Sequence, residues 1–106
     1  MSIYALDVEC AASGIGHNDR MPCSVSLVNV SGAVLMEDCV KLSYCENPLT
    51  EITGLTREQI QTGLEFLDAI SKLKSFLGPG VTLVGHKIDS DINWMRLEKG
   101  KDYYIS

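Results

Sequence analysis

Hydrophobic and polar positions along the chain change period several times, and each change marks an element. Residues 2–9 (SIYALDVE) open β-branched and aromatic and turn acidic at their end, the pattern of a buried central strand. Residues 10–22 hold small residues and then GIGHNDRMP, dense in turn formers, and are expected to be loop. Residues 23–31 (CSVSLVNVS) alternate, with Val25, Leu27 and Asn29 on one side and Val28 and Val30 on the other. After a tight turn at Ser31-Gly32, residues 33–42 (AVLMEDCVKL) return as a second alternating strand, which makes a β-hairpin.

The period then lengthens. Residues 43–53 are irregular and contain Pro48. Thr56 is a plausible N-cap for a short helix, with Gln59 three residues on as in a capping box, and Gly63 breaks that run. Residues 65–77 place Phe66, Leu67, Ile70, Leu73, Phe76 and Leu77 at helical spacing, an amphipathic helix with one buried face. Gly78-Pro79-Gly80 ends it. Residues 81–84 (VTLV) form a short buried strand that Gly85 ends. A helix is predicted over residues 90–99, with Ile92, Met95 and Leu97 inward, Trp94 at the margin, Asp89 or Ser90 as N-cap and Gly100 as C-cap. Residues 102–105 start a further strand.

The predicted order is β-β-β-α-β-α, an α/β chain with a mixed sheet flanked by helices. In such a sheet the ends of the first and fourth strands lie side by side, where functional residues gather.

The 106 residues allow one domain, and 45% hydrophobic with 22% charged residues is ordinary globular composition. The formal net charge of -5 argues against a simple basic nucleic-acid-binding module. It suits a metal-dependent site built from clustered carboxylates. Cys10, Cys23, Cys39 and Cys45 match no zinc spacing and are expected to be reduced thiols. Asp7 and Glu9 interrupt the N-terminal apolar run, so no signal peptide is expected, and no stretch reaches the roughly 18 apolar residues of a membrane span. A nuclear or cytoplasmic setting follows as the expectation.

The candidate chemistry lies in three places. Asp7 and Glu9, two apart on a strand, share one face. Two like charges held together are costly to desolvate, and a divalent cation such as Mg²⁺ relieves them. A bare acid-x-acid pair is more often a solvated strand end. Leu83–Met95 (LVGHKIDSDINWM) runs from a strand into a helix with Asp91 in its first turn. On its own Asp91 could be no more than a helix-start acid, and His86 a hydrogen-bonded turn residue. LTEITGLT, residues 49–56, is by propensity a loop and a cap.

Taken in order, a D-x-E at the end of strand one, a hairpin, a TGLT turn and strand–GHxxxxD–helix resemble the DEDD superfamily of 3'→5' exonucleases. The likeness is nearest to the eukaryotic RNA exonuclease group that includes the interferon-stimulated exonuclease. It extends from Tyr4 to about Tyr104. The resemblance implies a ribonuclease-H-like fold and two-metal phosphodiester hydrolysis, with two Mg²⁺ or Mn²⁺ ions roughly 4 Å apart. Asp7 and Glu9 match the first motif and Asp91 the second, so these three are the implied catalytic acids and metal ligands, with Asp7 bridging the ions. His86 matches the second-motif histidine and takes a positioning role. Val8, Thr53 and Leu55 fall where the family holds the terminal nucleotide, so with His86 they are the implied substrate-binding residues. The implied substrate is the 3' end of a single strand, RNA in preference.

One departure stands out. The family's third motif, a histidine or tyrosine shortly before a final aspartate, has no match after Asp91. Asp102 is too near, and Tyr103-Tyr104 follow it instead of preceding it. Such a domain normally needs roughly 150 residues or more. The expectation is a partial exonuclease domain over residues 1–106, incomplete at its C-terminus and weak or inactive by itself. Such a sheet would also expose apolar surface that a protein partner could cover. The rival readings are a non-catalytic RNA- or protein-binding pseudo-exonuclease, a different ribonuclease-H-like enzyme, and a small α/β domain whose acids are mere surface.

Overall fold

A computed structural model describes residues 2–12, 20–41 and 57–104. Four strands form one sheet in the order β3-β2-β1-β4: β1 is Ser2–Ala12, β2 Arg20–Asn29, β3 Val34–Cys39 and β4 Val81–Val84. β1 to β3 are antiparallel, and β4 returns parallel to β1. Helix α1 is Arg57–Gln61, α2 Phe66–Phe76 and α3 Ile88–Trp94. The expected α/β order, with β4 beside β1, is borne out.

Strand alternation sorts the two sheet faces. Leu6, Val8, Val25, Leu27 and Met36 turn to one face and are buried. Ala69, Ile70 and Leu73 of α2 close over that face, together with Ile92, Met95 and Leu97 from α3 and the turn after it. Both longer helices therefore cover the same side. Asp38 of β3 anchors α2 through Lys72, at 2.6 Å.

The other face carries three parallel rows. Val84, Ala5, Val28 and Val34 are cross-strand neighbours, then Asp7, Ser26 and Glu37, then Glu9, Ser24 and Cys39. The first row leaves Val84 and Val34 exposed, and Ile3 beside it is exposed as well. This face thus grades from apolar to acidic along the strands, and the apolar exposure anticipated from the sequence is present there among the described residues.

Several sequence boundaries move. Residues 10–12 and 20–22 are strand, not loop, and pair as Cys10 with Pro22, Ala11 with Met21 and Ala12 with Arg20. A register shift after Glu9 makes room for the extra residue Cys23 on β2. Pro22 and Cys23 are consequently both buried, and the proline is tolerated because it sits at this irregularity. The turn after β2 forms as predicted. Gly32 has φ 88°, and the Asn29 side chain accepts hydrogen bonds from the Ser31 N–H and hydroxyl and from the Ala33 N–H. Leu67 points to solvent instead of joining the buried face of α2.

Helix α3 begins and ends earlier than expected. Its N-cap is Lys87, at φ 54°, and not Asp89 or Ser90. It ends where Arg96 turns left-handed at φ 56° and the Leu97 N–H reaches back to the Ile92 carbonyl. Gly100, also at positive φ, serves the following turn and not the helix. Past it Tyr103 makes a single bridge to Lys99, and the Tyr104 N–H donates to the Val81 carbonyl, in place of a further strand among the described residues. Asp102 is buried, accepts the Glu98 N–H at 2.8 Å and meets Lys74 at 3.6 Å, so it is a structural acid.

Cys10, Cys23 and Cys39 are thiols. Cys45, the loop at 43–53, the Thr56 cap and the TGLT turn with Thr53 and Leu55 lie outside the described residues, as do 13–19 and 105–106. Among the described residues no helix is long and apolar enough to cross a membrane.

Gly63, just past α1, lies against the end of β3. A Cβ there would lie 2.5 Å from the Cys39 carbonyl carbon and oxygen, beside the Leu64 N–H to Cys39 bond of 2.8 Å. Gly63→Ala is expected to lower stability by roughly 1–3 kcal/mol, as overpacking does. Gly78→Ala, with nothing within 4 Å, should change it by about 0.5 kcal/mol or less. Urea unfolding midpoints of the two variants check this pair.

Candidate active site

The site is built where β4 stops short. β4 pairs with β1 only from Ser2 to Ala5, so the β4-side edge of β1 beyond Ala5 is left to other groups. The chain then passes over that edge at Gly85, where a Cβ would stand 2.5 Å from the Leu6 carbonyl oxygen and 3.1 Å from Ile88 Cδ1. Only glycine allows this approach. The tight crossing, followed by left-handed Lys87, starts α3 directly beside β1.

Asp91 is thereby carried to the strand edge. It is 6% exposed, and the backbone N–H of Val8 hydrogen-bonds its carboxylate. Its Oδ2 is buried and has no hydrogen-bond partner. Burial pushes its carboxyl up to about 6; the Val8 N–H works against this, the charge of Asp7 adds to it, and His86 pulls it down. On the open face of β1, Asp7 is exposed and Glu9 half-buried. Burial, the charge of Asp7, a hydrogen bond to Asp7 and the charge of Asp91 all push the Glu9 carboxyl above its ordinary value. The three acids, from both ends of the sequence, therefore feel one another.

The other implied residues are placed as follows. His86 is exposed and close enough to Asp91 for its charge to act there. The Val8 side chain is buried in the core, so what Val8 offers the site is its backbone. Thr53 and Leu55 are outside the described residues. A residue absent from the sequence reading joins the site: Glu37 lines an open depression of about 450 Å³ together with Asp7, Glu9, Ser24 and Ser26. Its signal was the hairpin register, which sets Glu37 in the same cross-strand row as Asp7.

The donor set is hard carboxylate oxygen, one atom of it buried and unsatisfied, and two of the acids share a hydrogen bond. That chemistry fits a divalent cation of the Mg²⁺ type. Among the described residues, however, no three acidic, histidine or cysteine side chains converge on one point with their side chains as they stand.

No protein-family model matches the chain. It is 28% identical over 98 residues to RNA exonuclease 4 of Xenopus tropicalis, covering 92% of this chain and 23% of that protein. It is 29% identical over 97 residues to RNA exonuclease 5 of Rattus norvegicus, covering 90% and 12%. The chain thus spans less than a quarter of the length of either curated relative. Among solved structures it superimposes on the Neurospora crassa Pan2 catalytic unit (protease and nuclease domain) with a TM-score of 0.76 at 19% identity, over 99% of this chain and 19% of that one. The Saccharomyces cerevisiae Pan2 pseudoubiquitin hydrolase-RNA exonuclease module gives a TM-score of 0.77 at 14% identity, over 98% and 20%. These findings bear out the resemblance to RNA exonucleases, and the mixed α/β sheet shares its fold with the matched part of the Pan2 catalytic unit.

The buried acid makes stability pH-dependent in a particular direction. The unfolded chain holds the Asp91 proton only below the ordinary aspartate value of 3.8, whereas the folded chain holds it up to about 6. Between these values the folded state binds more protons, so stability falls as pH rises. Without added cation, stability should drop from pH 5 to pH 7 by on the order of 1 kcal/mol from this group. Asp91→Asn should flatten that part of the profile and be the more stable protein at pH 7. Thermal unfolding across this pH range measures both effects.

Proposed function

We propose that the chain is an exonuclease domain that removes nucleotides from the 3' end of single-stranded RNA, using Mg²⁺ or Mn²⁺ held by Asp7, Glu9 and Asp91. The observation that carries this reading is Asp91: a buried carboxylate with an unsatisfied oxygen, brought beside the acidic end of β1 by a crossing that only glycine permits. A protein that needed Asp91 only as a helix-start acid would leave it in water. The names of its sequence relatives support an RNA substrate and an exonuclease activity.

When bound, the divalent ions would polarise the phosphodiester and raise the acidity of the attacking water. The chain's own residues supply the rest. Asp7 and Glu9 bring negative charge that neutral side chains could not offer a cation. The Val8 N–H fixes the orientation of Asp91. His86 lies close enough to favour the ionised form of Asp91. An acidic chain can still take up RNA here, because cations provide the positive charge locally. No histidine between Asp91 and residue 106 is available as general base, so hydrolysis by these 106 residues is slow. The setting in the cell is nuclear or cytoplasmic.

Two measurements test the proposal together. Calorimetric titration with Mn²⁺ at pH 7 should show saturable binding that disappears in Asp7→Ala. Incubation of this chain with a 5'-labelled single-stranded RNA and Mn²⁺ should give slow shortening from the 3' end, which a 3'-phosphate blocks and Asp7→Ala abolishes. Absence of Mn²⁺ binding would remove the nuclease reading in favour of a non-catalytic RNA- or protein-binding module. Fast hydrolysis would overturn the expectation of weak activity and leave the site assignment in place.

A further inference from the structure

Helix α3 presents a second feature one turn beyond Asp91. Trp94 is the single tryptophan of the chain. It is half-buried, with part of its ring packed on the hydrophobic core. Its remaining surface lines an open depression of about 400 Å³, together with Ser90 and Asn93. The Ser90 and Asn93 side chains are both exposed. Among the described residues it shares no lining residue with the depression between Asp7 and Glu37.

The combination is chemically specific. A planar aromatic surface, anchored by the core and flanked by a hydroxyl and a carboxamide, suits a flat ligand with donors and acceptors around its edge. The volume lies in the range of roughly 300–1,000 Å³ usual for small-molecule sites, enough for one nucleotide. Residues three apart on a helix have Cβ atoms about 5–6 Å from each other. Trp94 therefore stands next to Asp91, at about the span of one nucleotide step along a single strand.

We infer that Trp94, Ser90 and Asn93 form a nucleobase subsite, in which a base of the bound strand beside the scissile phosphate stacks on the indole and is hydrogen-bonded along its edge by Asn93 and Ser90. This inference rests on the reading of the chain as an RNA-binding nuclease, and it adds to that reading a grip on the strand that is independent of the acids. Stacking on an aromatic side chain is tolerant of base identity, so the subsite holds the strand without imposing a strong sequence preference.

Because Trp94 is the only tryptophan, its fluorescence reports on this subsite alone. A hydrolysis-resistant phosphorothioate hexaribonucleotide should quench it saturably in Mg²⁺. The affinity, followed by anisotropy of a labelled copy, should fall about tenfold or more in Trp94→Leu. Asn93→Ala, an exposed change that leaves the core intact, should weaken binding about threefold, as loss of one hydrogen bond does. Tyr104→Leu, an exposed aromatic beyond α3, should bind as the unaltered chain does. Far-UV circular dichroism confirms that each variant is folded. Binding without tryptophan quenching, or equal affinity in Asn93→Ala and the unaltered chain, overturns the subsite, and so does absence of binding. Repeating the titration with Asp7→Ala separates the two readings. Retained quenching with lost hydrolysis supports both. Retained quenching where hydrolysis never depended on Asp7 keeps the subsite and sinks the metal site.

Discussion

The contact of Gly85 with the backbone of β1 is the constraint on which the site depends. β4 could have continued alongside β1, consuming its hydrogen-bonding edge in a regular parallel ladder. It stops at Val84 instead, and the chain crosses above the Leu6 carbonyl at a distance no side chain would permit. That crossing leaves the Val8 N–H for the Asp91 carboxylate, and it lets the first turn of α3 fill the vacated edge. A strand edge is ordinarily a liability. Here part of it is converted into an anchor for an acid.

The electrostatic arrangement follows from that placement. Asp91 is forced out of water, beside Asp7 and Glu9 on a strand whose other face is occupied by the core. Burial foremost, and then the charge of the neighbouring acids, make both Glu9 and Asp91 hold their protons more tightly. The fold keeps this cost in place through Leu6, Val8, Ile92 and Met95, whose burial fixes the positions of β1 and α3. Stability and site are thus in tension, and a bound cation would relieve it.

Much of this was legible in the sequence because its causes are local. The alternation of β2 and β3, the helical spacing of Ile70 and Leu73, and the short apolar run of β4 each state their own periodicity. Asp7 and Glu9 declare a common face by their spacing, and the order of motifs linked them to Asp91 across more than eighty residues. What escaped the reading was set by partners far away in the chain. Residues 10–12 look like a loop because they are small, yet they pair with 20–22 across the hairpin. Lys87 and Arg96 adopt left-handed backbone that glycine usually marks, so the true ends of α3 carry no sequence signal. Glu37 belongs to the acidic row only through the register of two strand pairs, a relation that no single segment displays.

The central claim is that Asp7 and Asp91 occupy one electrostatic site. Carbon-detected NMR titration of the Asp91 carboxyl, in the unaltered protein and in Asp7→Asn, tests it most directly. The expected midpoint is near 6 and moves to lower pH once the Asp7 charge is removed. A midpoint in the ordinary range for an aspartate, unchanged by the Asp7 substitution, would contradict it.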